Sequence, residues 1–249
     1  MQEHLPTKLS LASENKYPDC LWMQLEAMPV HSEGIDTQHI DLYLSIDFNE
    51  HWEPLLGGRV KFGFKGGELR LKLDNGQIPL PSRYLSGTFN LFSKEEKKAG
   101  VPTQLNTCHI GTKGWDSDPA WVFDVRTGGS VLKGAIENAK LGTVTLTDKS
   151  YRVEATFEVS NQDVYLTDAE GLWKHDISPN QHAVLERKLV LFLLETKLKP
   201  YLSWAHLRAD RFPVEKPSTA IEEQLESDLQ AIVQQIVSAP DRDFLELLK

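Results

Sequence analysis

Apolar residues return at every second position from residue 151 to residue 159. Tyr151, Val153, Ala155, Phe157 and Val159 alternate there with Arg152, Glu154, Thr156 and Glu158. Side chains of an extended chain point to opposite faces in turn, so this period describes a strand with one dry and one wet face. β-Branched and aromatic residues are frequent in it, which argues against a helix. The texture extends over 120–166: Trp121, Phe123 and Val125 share one face, and Val144 and Leu146 share another. Strands of this kind must bury their apolar faces against one another. The chain is therefore expected to be mainly β, a β-sandwich-like body with a C-terminal helical portion.

The first third carries the same signal. Leu21, Met23 and Leu25 alternate with polar neighbours, and Ile40, Leu42, Leu44 and Ile46 do so more strongly. Val60, Phe62 and Phe64 precede Gly66-Gly67, and Leu69, Leu71 and Leu73 follow it, which predicts an antiparallel hairpin over 59–73. Residues 142–159 resemble a second hairpin, turning at Asp148-Lys149. Residues 49–58, with Pro54 and Gly57-Gly58, read as a connection. The Gly- and Asp-rich stretch 111–119 reads as a turn-rich loop, and 93–100 as a charged surface excursion.

After Leu166 the period changes. Ser178, Pro179 and Gln181 have the spacing of an N-cap, a first helical residue and a capping-box partner. Leu185, Leu189 and Phe192 follow on one side, and Pro200 closes the run. A buried helix over 179–198 is favoured; its rival is a long interior strand, because Val190, Phe192, Leu194 and Leu198 also alternate. Residues 208–218 read as a linker. Beyond it Ile221, Leu225, Leu229, Ile232 and Ile236 recur at helical spacing, an amphipathic helix, with a short helix over 241–248. The expected organisation is a body over 1–170, a helix and connector packing on it over 171–212, and a helical tail over 213–249.

The net charge of −9 disfavours unassisted contact with phosphate backbones. Cys20 and Cys108 form no C-x-x-C pair and suit buried thiols in a reducing compartment. The first residues lack a basic segment followed by an apolar run, so no signal peptide is expected. The longest dense apolar run, 189–194, is too short to cross a bilayer. A soluble cytoplasmic protein with no membrane partner is the expectation.

No Walker loop, G-x-G-x-x-G, G-x-S-x-G or H-E-x-x-H occurs. Five constellations remain. Cys108-His109 with Asp116, Asp118 and Asp124 is one: Asp116 and Asp118 offer oxygens suited to calcium from a Gly-rich loop, without the spacing of the twelve-residue calcium loop. His39, Asp41 and Asp47 share the polar face of one strand, with Glu50 and His51 just beyond, a candidate metal set. His175, Asp176 and His182 lie around the start of the first helix, a candidate acid-base set. Arg59, Lys61, Lys65, Arg70 and Lys72 would share the outer face of the first hairpin, a candidate nucleic-acid surface. The stripe of Ile221, Leu225, Leu229, Ile232 and Ile236 must be buried against something. The leading expectation is a non-enzymatic protein-interaction or assembly module that self-associates or meets a protein partner through this tail. A metal-assisted hydrolase and a nucleic-acid-binding protein are the alternatives, and no cofactor is implied.

Overall fold

The computed structural model describes residues 10–30, 39–92, 106–127, 129–148, 150–172 and 177–209. The first strands are β1 (Ser10–Asn15), β2 (Leu21–Val30), β3 (His39–Phe48), β4 (His51–Leu55), β5 (Gly58–Phe64), β6 (Gly66–Asp74) and β7 (Gly76–Gln77). A 3-10 turn at Leu80–Ser82 leads to β8 (Gly87–Leu91), β9 (Asn106–Trp115) and β10 (Asp118–Thr127). Next come β11 (Gly134–Leu146), β12 (Tyr151–Glu158) and β13 (Val164–Glu170). The helix α1 (Pro179–Leu193) runs on as a π-helical turn, Leu194–Leu198, before β14 (Ser203–Ala209).

Among the described residues these strands form three antiparallel sheets. A seven-stranded sheet has the order β1-β14-β12-β6-β10-β9-β8, a four-stranded one β2-β3-β11-β7, and a three-stranded one β13-β5-β4. The mainly β body with a helical segment near its C-terminal side is what the period-2 texture implies. Along β3 the burial alternates without a break, with Ile40, Leu42, Leu44, Ile46 and Phe48 turned inward. β12 alternates likewise and places Phe157 in the core. There Phe48 of β3 meets Phe123 of β10 at 5.9 Å and Phe157 at 5.8 Å, ring centre to ring centre, while Phe123 and Phe157 lie 5.6 Å apart. This triad joins the four-stranded sheet to the seven-stranded one, in the tilted and edge-on geometry aromatic rings prefer.

Both expected hairpins are corrected. β5 pairs with β4 and β13, whereas β6 pairs with β10 and β12. Lys65 alone separates them and serves both sheets. Its N–H donates to Asp163 O at 2.6 Å, beside β13, and its carbonyl accepts from Val125 N–H of β10 at 2.7 Å. Gly66-Gly67 is used for close approach rather than for a turn. A Cβ on Gly66 would lie 2.3 Å from Phe123 O, and one on Gly67 2.5 Å from the Phe157 ring. β11 and β12 repeat the pattern: β11 pairs with β3 and β7, and β12 with β14 and β6. Successive strands thus pass from one sheet to another, a corner geometry that local turn signals do not distinguish from a hairpin.

The supposed connection 49–58 contains β4, an edge strand among the described residues, where the missing N–H of Pro54 is tolerated. It returns into β5 through Leu56 and Gly57, at φ 51° and 82°, the left-handed pair of a tight two-residue turn. The stretch 111–119 is also mostly strand, because β9 continues to Trp115 before turning. β2 borders the four-stranded sheet. The Asn15 side chain accepts from Met23 N–H at 2.9 Å and donates to Met23 O at 3.2 Å, so an amide takes the place of a neighbouring strand.

α1 begins as expected. Ser178 Oγ accepts from Gln181 N–H and the Gln181 side chain accepts from Ser178 N–H, a complete capping box. Leu185, Leu189, Phe192 and Leu193 are buried, so the helix and not the interior strand is formed. The expected connector after it contains β14, which lies between β1 and β12 inside the large sheet. No helix among the described residues is long and apolar enough to cross a membrane. The excursion 93–100, the tail helix 219–237 and the short helix 241–248 lie outside the described residues.

Candidate functional site

The polar face of β3 is bound to its neighbour β11. Register places His39 opposite Thr145, Asp41 opposite Thr143 and Tyr43 opposite Lys140. Thr143 Oγ1 donates to Asp41 Oδ1 at 2.6 Å, Lys140 Nζ reaches Asp41 Oδ2 at 2.7 Å, and Thr145 Oγ1 lies 3.3 Å from His39 Nδ1. Partial burial disfavours the Asp41 charge, but the hydrogen bonds of Lys140 and Thr143 and the Lys140 charge outweigh it, so its carboxyl lies below the usual range. The Lys140 ammonium also sits 4.7 Å over the Tyr84 ring.

Glu50 belongs to a different region, beyond the far end of β3. Its carboxylate meets Lys133 Nζ at 2.5 Å and Lys61 Nζ at 3.2 Å. His51 Nε2 is 3.5 Å from Glu53 Oε2, and its ring packs on Tyr17 at 5.2 Å and Phe62 at 5.8 Å. Asp47 lies in register with Trp22 and Ala135. The structure therefore does not gather His39, Asp41, Asp47, Glu50 and His51. They share a strand and its exit, but eight residues of extended chain separate His39 from Asp47 by roughly 26 Å. Among the described residues no group of three or more His, Cys, Asp or Glu is placed to hold a metal ion.

Burial disfavours the Glu50 charge, yet hydrogen bonds from Lys133, Thr167 and Lys61 bring its pKa down to about 2 from an ordinary 4.5. A depressed carboxyl contributes stability above its unfolded pKa and loses it as pH falls toward the folded one. The difference corresponds to at most about 3 kcal/mol, and Glu50→Gln is expected to remove most of it. Thermal melts from neutral pH down to about 2 should show the native protein losing stability more steeply than Glu50→Gln below pH 4.5. Parallel pH profiles would refute the assignment.

The basic residues do not form one face. Arg59 and Lys61 stand on β5 of the three-stranded sheet, Arg70 and Lys72 on β6 of the seven-stranded one, with Lys65 at the corner. Arg59 meets Glu170 at 2.6 Å and lies 4.4 Å over the Trp52 ring. Lys65 lies 4.1 Å over Tyr165, and Arg70 meets Glu68 at 2.7 Å. The surface expected to meet nucleic acid is thus split between two sheets, and four of its five cations rest on carboxylates or aromatic rings of the same body.

His182 sits in the first turn of α1, 3.5 Å from Glu186 and half-exposed. His175 and Asp176 lie outside the described residues, as do Ile221, Leu225, Leu229, Ile232 and Ile236. Cys108 and its neighbour His109 occupy opposite faces of β9; burial pushes the Cys108 thiol up to about 12.

One arrangement had no sequence signal beyond a lone arginine in an irregular stretch. The Arg83 guanidinium is buried and donates to Ile78 O at 3.2 Å, Lys113 O at 2.8 Å and Gly114 O at 3.2 Å, and reaches Asp116 Oδ1 at 3.2 Å. Ile78 N–H also donates to Asp116 O, and Leu73 N–H to Ser117 O. These bonds fix the β9–β10 turn from behind. On it Trp115 stands 82 % exposed, and on the segment that carries Arg83 Leu80 is 61 % and Tyr84 51 % exposed.

Neither a family model nor a curated protein matches the chain. Among solved structures, one described as "Pore forming protein" is similar at 8 % identity and a TM-score of 0.34, over 66 % of this chain and 86 % of that one. A likeness of that degree identifies neither fold nor function.

Proposed function

We propose that the chain is a non-enzymatic protein-interaction or assembly module of the cytoplasm, a β scaffold that offers apolar contacts to a protein partner or a second copy. The supporting observation is Trp115. An exposed indole offers a large amphipathic contact area to a partner, and this one stands on a turn immobilised by buried Arg83. Rigid presentation lowers the ordering cost of binding, and buried Trp is a frequent energetic anchor of interfaces. The stripe of Ile221, Leu225, Leu229, Ile232 and Ile236 supplies the second contact. The carboxylates of the candidate metal set support a scaffold role, since Asp41 and Glu50 tie strands together through lysines. Buried Cys20 and Cys108 suit a reducing compartment.

Size-exclusion chromatography with light scattering tests the assembly form. The full chain is expected to exceed its monomer mass, and Leu225→Asp/Leu229→Asp or Trp115→Ser to return it toward the monomer. A monomer at every concentration, for the full chain as for the variants, would sink self-assembly.

A further inference from the structure

Position 75 has to make a turn, and position 76 a close contact. β6 ends at Asp74 and β7 begins at Gly76, so the chain passes from the seven-stranded sheet to the four-stranded one across Asn75 alone. The crossing uses a left-handed residue, φ 57°, a conformation that asparagine adopts more readily than most residues with a side chain. Position 76 needs glycine, because a Cβ there would lie 2.9 Å from Val144 Cγ1. The fold thus sets Asn75 before Gly76, the sole Asn-Gly step in the sequence. Asn75 also closes a second crossing. Its Nδ2 donates to Ser150 O at 2.8 Å, and its main-chain O accepts from Thr147 N–H at 2.9 Å. Thr147 and Ser150 lie between β11 of the four-stranded sheet and β12 of the seven-stranded one. One exposed residue therefore staples two places where the chain changes sheet.

We infer that Asn75 is a site of spontaneous deamidation, reached when this turn opens, and that the reaction unfastens the two crossings. The nucleophile is the Gly76 nitrogen. Gly76 stands opposite Leu146, and the bond from Thr147 N–H to Asn75 O makes theirs a pair that exchanges no hydrogen bonds. The Gly76 N–H accordingly points away from β11, and no side chain at that position shields it. The staple holds the Asn75 side chain toward Ser150, so the reaction proceeds through local opening.

In the opened turn the Gly76 nitrogen loses its proton to hydroxide and bonds to Asn75 Cγ. The Cγ–Nδ2 bond breaks, and the amide leaves as ammonia with a proton taken from water. Water then opens the cyclic imide at either carbonyl. The product is aspartate or, with the main chain redirected through Cβ, isoaspartate. No oxidant or further reactant is consumed. Either product sets a carboxylate where the donor to Ser150 O stood, and an acceptor facing an acceptor cannot restore the bond. The new charge also follows Asp74 directly in the chain, whose own carboxylate is met by Arg152 Nε at 2.6 Å.

Peptide mapping by mass spectrometry tests the site on the full chain, held folded in mildly alkaline buffer, with enzymatic methylation of isoaspartate as a second readout. Asn138 is the internal comparison: it is exposed and left-handed, at φ 47°, but Ala139 follows it. Acid is expected to replace amide at Asn75, as aspartate and isoaspartate, ahead of Asn138. An amide retained at Asn75 in the folded chain after the urea-unfolded chain has converted there overturns the proposal, as does earlier conversion at Asn138. Arg152→Gln, which releases the end of β6 at an exposed ion pair, is expected to speed the conversion by about threefold, the scale of one surface pair. An unchanged rate removes the gating by the turn. Asn75→Asp supplies one product directly. It is expected to speed amide exchange at Thr147 by about fivefold, the scale of one lost hydrogen bond. Exchange equal to the native rate would show that the crossings hold without the staple.

Discussion

Gly66→Ala is expected to cost about 3 kcal/mol of folding stability, at the upper end of the usual range for overpacking. The added methyl would sit 2.3 Å from Phe123 O, a main-chain atom of the adjacent β10, and cannot be relieved by a rotamer change. Either β6 withdraws from β10 or the corner at Lys65 opens, and both disturb the hydrogen bonds of Lys65 to Asp163 and Val125. Gly111→Ala is the control. It lies on the neighbouring β9 with nothing within 4 Å of the new atom, and should change stability by less than about 0.5 kcal/mol. Urea unfolding of the two variants reads the difference directly. Coincident curves would show that the corner does not depend on the missing side chain.

Phe157→Ala is expected to cost about 4 kcal/mol, the scale of emptying a large aromatic site in a packed core. Phe157 is fully buried and touches both other members of the triad, so its loss unseats Phe48 on one sheet and Phe123 on the other. A loss of that size is a large part of the total stability of an ordinary domain. The same ring is what a methyl on Gly67 would strike, at 2.5 Å. The two sites should therefore be coupled: Gly67→Ala should cost less in the Phe157→Ala background than in the native protein. Part of its cost should persist there, because Gly67 has a φ of +153°, a conformation that side chains resist. Strict additivity in urea unfolding would contradict the packing described.

What could be read in the sequence was what is local. The strict alternation of β3 and β12 specifies a half-buried strand without reference to the rest of the chain, and Ser178, Pro179 and Gln181 specify a helix start in the same way. Strand pairing was not local. Gly66-Gly67 has the composition of a turn, but its use is settled by Phe123 and Phe157, residues far away in sequence. Over 201–207 the sequence suits the core as helix or as strand, for a different reason: Ser203 through Leu207 of β14 are buried on both sides, and a strand covered on both faces shows no period. The candidate metal set combined a correct face with an incorrect distance, because period 2 says which side chains are parallel and not how many ångströms lie between them. Arg83 shows the opposite limit. Its partners are mostly carbonyl oxygens, and backbone acceptors leave no mark in a sequence.

The position of β14 also governs the order in which the protein can be completed during synthesis. β1 emerges first, yet its partner among the described strands is β14, the last of them to be made. Until residues 203–209 leave the ribosome, the edge of β12 that β14 will occupy stays open. A nascent chain in that condition carries an unpaired strand edge beside a hydrophobic core, the kind of surface that holding chaperones bind and that leads to aggregation. Closure of the large sheet accordingly waits for β14, when the two ends of the described chain meet, and premature termination anywhere before residue 203 leaves the edge of β12 without the strand that covers it.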